Sequence, residues 1–557
     1  MRTMQARRDA AWRAAMLAVL TGGTGLVLSG CGGSPFEDSP KDMYALSQSS
    51  VSCDAAPATT CADVKLYATP INGLTTDYRP GWEERPAVAN NKAVDHVYRD
   101  LQADGRWLVS VGFTTGLKAG TYSGTIAFGQ DPLSNALPPG ERRSVSFSYR
   151  LTVTADSVAR PLQAVSGAVD WAGPGGTPSR NGFIAVTVDP SKIQPRWSRT
   201  FLSQNYPAAN VLLSQGQVVL PGLRLEDGTA TDTVTVLSET DGQRVWSAAL
   251  PGTPNRALAS GDRLLIAGAA SNDGKTSAIS TVARADGAVR AQQSVDTIDM
   301  GDTWALSGDT LITPDLNGLT LSARGLDSLG TVRWTAQAYN PPLNLAGLVR
   351  WGVTVGNGRV HVNAGDRLRA FALSDGARNV DIVTPGKSPV VLFSTPLNQH
   401  PVLLDASTAT VITNRDLRPG EGRDNQWSVV DLAGGQTRWT QSGRYMDLPV
   451  GNNGVVYASN QENKTIEARS VADGSLLWSW PMDAGDSYFQ RQMVLTNQHL
   501  FVSTDRQTLA IDLGTHQAVW RYGAGGALAM SANGTLTLMV ERSALSNRPM
   551  LVTFDVR

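Results

Sequence analysis

VADGSLLWSW, residues 471–480, decides how this chain folds, because the same phrase recurs along most of its length. An Asp-Gly pair at Asp473 and Gly474 turns the backbone, and a short strand then runs into Trp478. TDGQRVWSAA (240–249) repeats it at Trp246, DSLGTVRWTA (327–336) at Trp334, LAGGQTRWTQ (432–441) at Trp439 and LGTHQAVWRY (513–522) at Trp520. PSKIQPRWS (190–198) is a reduced copy at Trp197, whereas ADGAVRAQQ (285–293) and SDGARNVDI (374–382) keep the turn and lose the Trp. Eight copies thus lie between Asp189 and Tyr522. Their spacing of about 40 to 60 residues is that of one four-stranded propeller blade.

The turn chemistry explains the phrase. A tight hairpin needs positive φ, which Asp-Gly and Gly-Gly supply at Gly242, Gly287, Gly376, Gly435 and Gly474. Each turn follows a strand-like run such as Thr233 to Leu237 or Ser428 to Leu432, with a second apolar run further upstream, as at Leu311 to Thr313 or Leu500 to Ser503. A single sheet of this kind cannot bury both faces, so the units must stack around a ring, with Trp filling the gaps between them. Beyond Tyr522 two more strands, Thr535 to Val540 and Met550 to Val556, are expected to close the ring against its first blade and so remove exposed edges. Seven blades would fit if one Trp-less copy were only a decorated loop.

This pattern resembles the pyrroloquinoline-quinone-type repeat of eight-bladed quinoprotein-like propellers, over roughly residues 165–557. That family holds quinone-dependent dehydrogenases and also non-enzymatic lipoproteins, such as the propeller subunit of the outer-membrane β-barrel assembly machinery. The resemblance to the dehydrogenases implies a vicinal cysteine disulfide, a calcium held by Glu, Asn and Asp, a Trp floor and a catalytic Asp. The sequence has no Cys-Cys pair and no cysteine after Cys61. Trp171, Trp246, Trp334, Trp351 and Trp427 are available as a floor, but Trp at repeated blade positions is read as packing. No cofactor is expected.

The N-terminus gives an address. Arg2, Arg7, Arg8 and Arg13 precede an apolar run from Ala14 to Leu28, the layout of an export signal. It ends in Leu28-Ser29-Gly30-Cys31, which resembles the lipobox of bacterial lipoproteins and implies a lipid-modified Cys31. Several acyl chains anchor stably, at about 0.8 kcal/mol per buried methylene. The residues after Cys31 are Gly32 and Gly33, without the Asp that in lipoproteins favours the inner membrane. The expected location is the outer membrane, lipid-anchored, facing the periplasm or the cell surface.

Residues 1–31 are therefore read as signal peptide, 32–46 as a polar tether, 47–157 as a β-sandwich and 165–557 as the propeller. Within the sandwich region, Val145, Phe147, Tyr149, Leu151 and Val153 alternate with polar residues, as a half-buried strand requires. Gly116 to Phe128 resembles the penultimate-strand signature of bacterial immunoglobulin-like modules, which implies that sandwich type. Cys53 and Cys61 are read as a disulfide in an oxidising compartment; a metal is the rival, but two thiols without a nearby His are too few ligands.

Charge excludes one class of partner: 48 basic against 49 acidic residues leave no surplus for nucleic acid. His96, His361, His400, His499 and His516 are scattered, and Asn272 to Lys275 and Asp315 to Gly318 lack a calcium loop's ligand pattern. No GxSxG elbow, phosphate loop or dinucleotide fingerprint occurs. Two loops stand out: 416–427, with Arg418, Glu421, Arg423 and Asp424, and 172–182, AGPGGTPSRNG, read as either an interaction loop or the path into the first blade. The expected protein is an all-β, membrane-anchored, non-catalytic propeller lipoprotein that binds other envelope proteins, with the outer-membrane barrel-assembly components foremost. A quinone-dependent dehydrogenase, or a surface module capturing glycans or host proteins, is the alternative.

Overall fold

The computed structural model describes residues 41–557 apart from 73, 75–78, 90, 131–141, 157–159, 204–210, 226–227, 230–232, 270–276, 296–303, 316–319, 339–351, 365–366, 386–399, 415–424, 446–447, 491 and 541–548. Cys31 and the export signal, Trp351, the 272–275 segment, and the charged loop residues Arg418, Glu421, Arg423 and Asp424 all lie outside the described residues.

Among the described residues the Trp repeats build eight sheets. Seven are four-stranded antiparallel meanders, here numbered as blades 1 to 7 in chain order, from Leu212–Ser214 through Arg244–Ala248 in blade 1 to Val494–Leu495 through Ala518–Tyr522 in blade 7. Blade 8 is composite: Ala527–Met530, Thr535–Val540 and Met550–Asp555 from the C-terminus are completed by Gln194–Ser203 from before blade 1. The first strands of blades 1 and 8 also meet, so the ring closes. Middle strands such as His499–Ser503 and Met550–Asp555 are buried at every residue, which is why they read as unbroken apolar or Thr-rich runs. Fourth strands face water on one side; Gln436–Gly443 alternates exposed and half-buried along its whole length.

Every blade from 1 to 7 has a register shift between its third and fourth strands just before the turn, for example at Val236/Leu237, Ala370/Phe371 and Ala468/Arg469. Such a bulge increases the local twist and re-aims the side chain that follows. In five of these blades that side chain is the Trp, opposite Val236, Ala323, Val429, Ala468 and Ala510. The same register puts Ala291 opposite Thr281 and Val380 opposite Ala370 in the two Trp-less copies.

The N-terminal strands form two four-stranded sheets over one shared core that includes Phe113, Phe128, Phe147 and Tyr149. Residues 41–46, read from the sequence as the end of a tether, include strands: Tyr44–Leu46 pairs with Val64–Pro70, and Lys41–Asp42 pairs with Arg142–Arg143. The reason is apolar content, because Met43 and Tyr44 are buried in the sandwich core. Cys53 and Cys61 are bonded to each other. The loop that they close rests on the propeller: Ala58 belongs to the propeller's core, and the Tyr522 hydroxyl donates to the Pro57 carbonyl; beyond the last sandwich strand, Asp156 accepts from Ser198 Oγ at 2.9 Å.

Candidate functional site

Three features of the ring could carry function: the axis, the seams between blades, and the outer rim. The axis is filled by the chain itself. Residues 170–186, which contain the Gly/Pro-rich run 172–182 of the sequence reading, are neither a surface loop nor a simple lead-in; Gly173 to Gly176 are buried. The segment visits the blades in order. The Trp171 carbonyl accepts from Leu213 N in blade 1, Ala172 from Ala259 in blade 2, Pro178 from Val355 in blade 4, Ser179 from Leu403 in blade 5, Asn181 from Gly451 in blade 6 and Gly182 from Leu495 in blade 7. Blade 3 is reached by Arg180, whose guanidinium donates to the Trp304 carbonyl at 2.7 Å and to Val353 O and Pro174 O at 3.2 Å. Glycine is required here by close approach: a Cβ on Gly176 would lie 2.9 Å from the Trp171 ring, and one on Gly182 would lie 2.3 Å from Val450. A small cavity beside the segment is lined by Arg180, Thr177, Leu258 and Leu306.

The seams repeat one device. At four seams the indole lies over the turn glycine of the next blade, and its Nε1 donates to the carbonyl three residues before that glycine. Trp197 donates to Glu239 at 2.8 Å beside Gly242, and Trp246 to Arg284 at 2.7 Å beside Gly287. Trp334 donates to Leu373 at 2.9 Å beside Gly376, and Trp439 to Val471 at 3.1 Å beside Gly474. Trp478 stacks on His516 with centroids 4.7 Å apart, His516 taking the glycine's place at φ +59. Trp520 meets Phe554 edge-on and stacks on Tyr522. Trp171 and Trp427 are fully buried, and Trp427 packs against Trp439 and Tyr445 while donating to Thr410 Oγ1 at 2.6 Å.

The seam that joins blade 8 to blade 1 is polar as well. Arg196, 1 % exposed, pairs with Asp555 at 2.6 Å and donates to Thr240 O at 2.7 Å. The buried Glu239 carboxylate accepts from the hydroxyls of Ser531 and Thr535, both at 2.5 Å, and from Asn533 Nδ2 at 2.9 Å. These contacts span some three hundred residues of sequence and hold the two ends of the chain together.

The histidines are structural. His361 is buried in the second strand of blade 4, and burial pushes its imidazole down to about 4, with Arg359 adding to the effect. Burial also lowers His499, against the pull of Asp512. His96 sits in the sandwich between Asp95 at 3.0 Å and Asp63 at 3.3 Å; burial alone would lower it, but the two carboxylates together raise it. His400 is buried with Nδ1 3.3 Å from Val353 O.

The described residues show no fit to a quinone and its calcium. The three cysteines stand at 31, 53 and 61, so a vicinal pair cannot form in the propeller. Among the described residues no three His, Cys, Asp or Glu side chains converge on a point where a metal ion could bind. The candidate floor residues Trp246 and Trp334 are committed to blade seams and Trp171 to the axial segment.

The rim is the feature that the sequence reading missed. Fourth strands are the terminal strands of blades 1 to 7, and they carry Val245, Val289, Val332, Val383, Leu476, Leu477 and Val519 at 40–57 % exposure. Strand alternation explains Val245, Leu477 and Val519: each directly precedes a Trp, so the Trp turns into the seam and the aliphatic turns out.

Comparison with known proteins agrees with this architecture. Residues 276–522 match the family described as outer membrane protein assembly factor BamB. The chain carries pyrroloquinoline-quinone-like propeller repeats resembling those of BamB. BamB from Moraxella catarrhalis is 13 % identical, covering 65 % of this chain and 97 % of that one, with a TM-score of 0.45. The quinohemoprotein alcohol dehydrogenase ADHIIG from Pseudomonas putida HK5 is 10 % identical, covering 70 % and 80 %, with a TM-score of 0.50. The quinohemoprotein alcohol dehydrogenase from Comamonas testosteroni is 11 % identical, again covering 70 % and 80 %, with a TM-score of 0.49. At such identities the likeness to ADHIIG bears on the fold alone. No curated protein matches the sequence.

Proposed function

We propose that this protein is a lipid-anchored, non-catalytic scaffold of the bacterial outer membrane that binds other envelope proteins, with barrel-assembly components as its partners. The observation that carries this reading is the rim: seven sheets end in an edge strand, and six of these edges carry outward-facing Val or Leu. An extended segment of a partner can add to such an edge through main-chain hydrogen bonds, while the aliphatics supply apolar contact. The match of residues 276–522 to the BamB description supports a partner of this kind. In this reading acylated Cys31 confines the ring near the bilayer, and the immunoglobulin-like sandwich sets its distance from the surface.

In-cell crosslinking of the full, lipidated chain, followed by mass spectrometry, tests the reading. Capture of barrel-assembly proteins or unfolded barrel chains supports it. Saturable binding of quinone and calcium with dye-linked alcohol oxidation would replace it with a dehydrogenase.

A further inference from the structure

The seam between blades 4 and 5 keeps the receptor for an indole and lacks the indole. Its turn matches the filled ones: Gly435 has φ +68, against +66 to +76 at Gly242, Gly287, Gly376 and Gly474, and Gly435 N donates to Asp431 O as Gly242 N does to Ser238 O. In the four filled seams a Cβ on the glycine would lie 2.6 or 2.7 Å from a Trp ring. On Gly435 it would meet nothing within 4 Å among the described residues. The carbonyl three residues upstream, which accepts the indole N–H in every filled seam, belongs here to Leu432; no hydrogen bond to it is found among the described residues. The cause is one residue, because register places Val380 where blades 1, 3, 5, 6 and 7 have Trp. At the other Trp-less seam Ala291 packs against a cluster with buried Leu326 and Leu329; here Val380 packs against one with buried Val430 and Leu432, and the face of Gly435 stays open.

We propose that the blade 4/5 seam is a binding site for a Trp side chain presented by an extended strand of a partner protein. The occupant is specified by this chain itself, since four equivalent sites show an indole flat on glycine with its N–H on that carbonyl. The carboxylates beside the site are already paired, Asp381 with Arg367 at 2.8 Å, Arg378 at 3.4 Å and Arg369 at 3.5 Å, and Asp431 with Arg438 at 3.4 Å. A strand laid along the exposed edge Arg378–Val383 would bring its side chains to the slot. The site deepens the scaffold reading and rests on it only for the partner's identity. Failure of the slot in vitro would leave capture elsewhere on the rim measurable by in-cell crosslinking.

The probe is a synthetic peptide copying residues 328–337, SLGTVRWTAQ, with 5-fluorotryptophan at the Trp, titrated into the full chain and followed by fluorine NMR. The expected result is saturable binding that weakens about tenfold or more when the Trp is replaced by Leu. Val380→Trp fills the slot from within; it should abolish binding and raise Tm by about 2 °C. Equal binding of the two peptides overturns the proposal on the wild-type protein alone. So does binding that survives Val380→Trp, or a folded Val380→Trp without gain in Tm, which would mean that the slot is already filled.

Discussion

Replacing Trp246 measures what holds one blade to the next. Its indole is 7 % exposed, lies over Gly287 and donates to the Arg284 carbonyl at 2.7 Å. Trp246→Ala removes the packing and leaves a cavity, a change that costs about 3–5 kcal/mol for a buried aromatic. It also strands a carbonyl, worth about 1 kcal/mol. Trp246→Phe keeps most of the area and loses only the donor, so it should cost about 1–2 kcal/mol. Val380→Ala, at the register-equivalent position of the seam without an indole, should cost about 1 kcal/mol. The assay is guanidinium unfolding followed by far-ultraviolet circular dichroism, with midpoints compared at constant slope. Trp246→Ala costing no more than Val380→Ala would refute the reasoning, because the repeated Trp would then be decoration and not the joint.

Three further outcomes follow from the same contacts. Arg196→Met, which leaves Asp555 buried and unpaired, should cost about 3–5 kcal/mol in chemical unfolding, whereas replacing both partners by apolar residues should recover much of it. His361, lowered to about 4, binds fewer protons in the folded chain than unfolded; its contribution is therefore intact above pH 6.5 and lost as pH falls toward 4. That loss amounts to about 3 kcal/mol, and His361→Leu should flatten this limb of the stability-versus-pH curve. Replacing Cys53 and Cys61 by Ser opens the loop that carries Ala58 and Pro57 against Tyr522. It should destabilise the sandwich by about 2–3 kcal/mol and speed tryptic cleavage near Arg160, with the propeller's own unfolding midpoint unchanged.

The ring was legible because its signal is local and repeated: each Asp-Gly turn fixes a hairpin, and each Trp marks the fourth strand. Even the lost Trp at Ala291 and Val380 stood out in the sequence, although only the structure shows which aliphatics pack beside each and that the face of Gly435 stays open. The axial segment was illegible for the opposite reason. Its Gly-Pro-Gly-Gly run has the composition of a loop, and nothing local records that its carbonyls are consumed by six separate blades. Tyr44 looked like tether because a single short strand has no periodicity to read. The rim aliphatics lie within the Trp phrase itself, where the Trp drew the reading and the exposed Val245 and Leu477 beside it were not singled out.

The central claim is that the rim, and not the axis, meets the partner. It is tested by placing a photocrosslinking amino acid at exposed Leu477 or Val289, and at buried Trp171 as the control, in the full chain in living cells. The account expects adducts with envelope proteins from Leu477 and Val289 and none from Trp171. Adducts confined to Trp171, or an absence of adducts from both rim positions in a correctly lipidated protein, would contradict it.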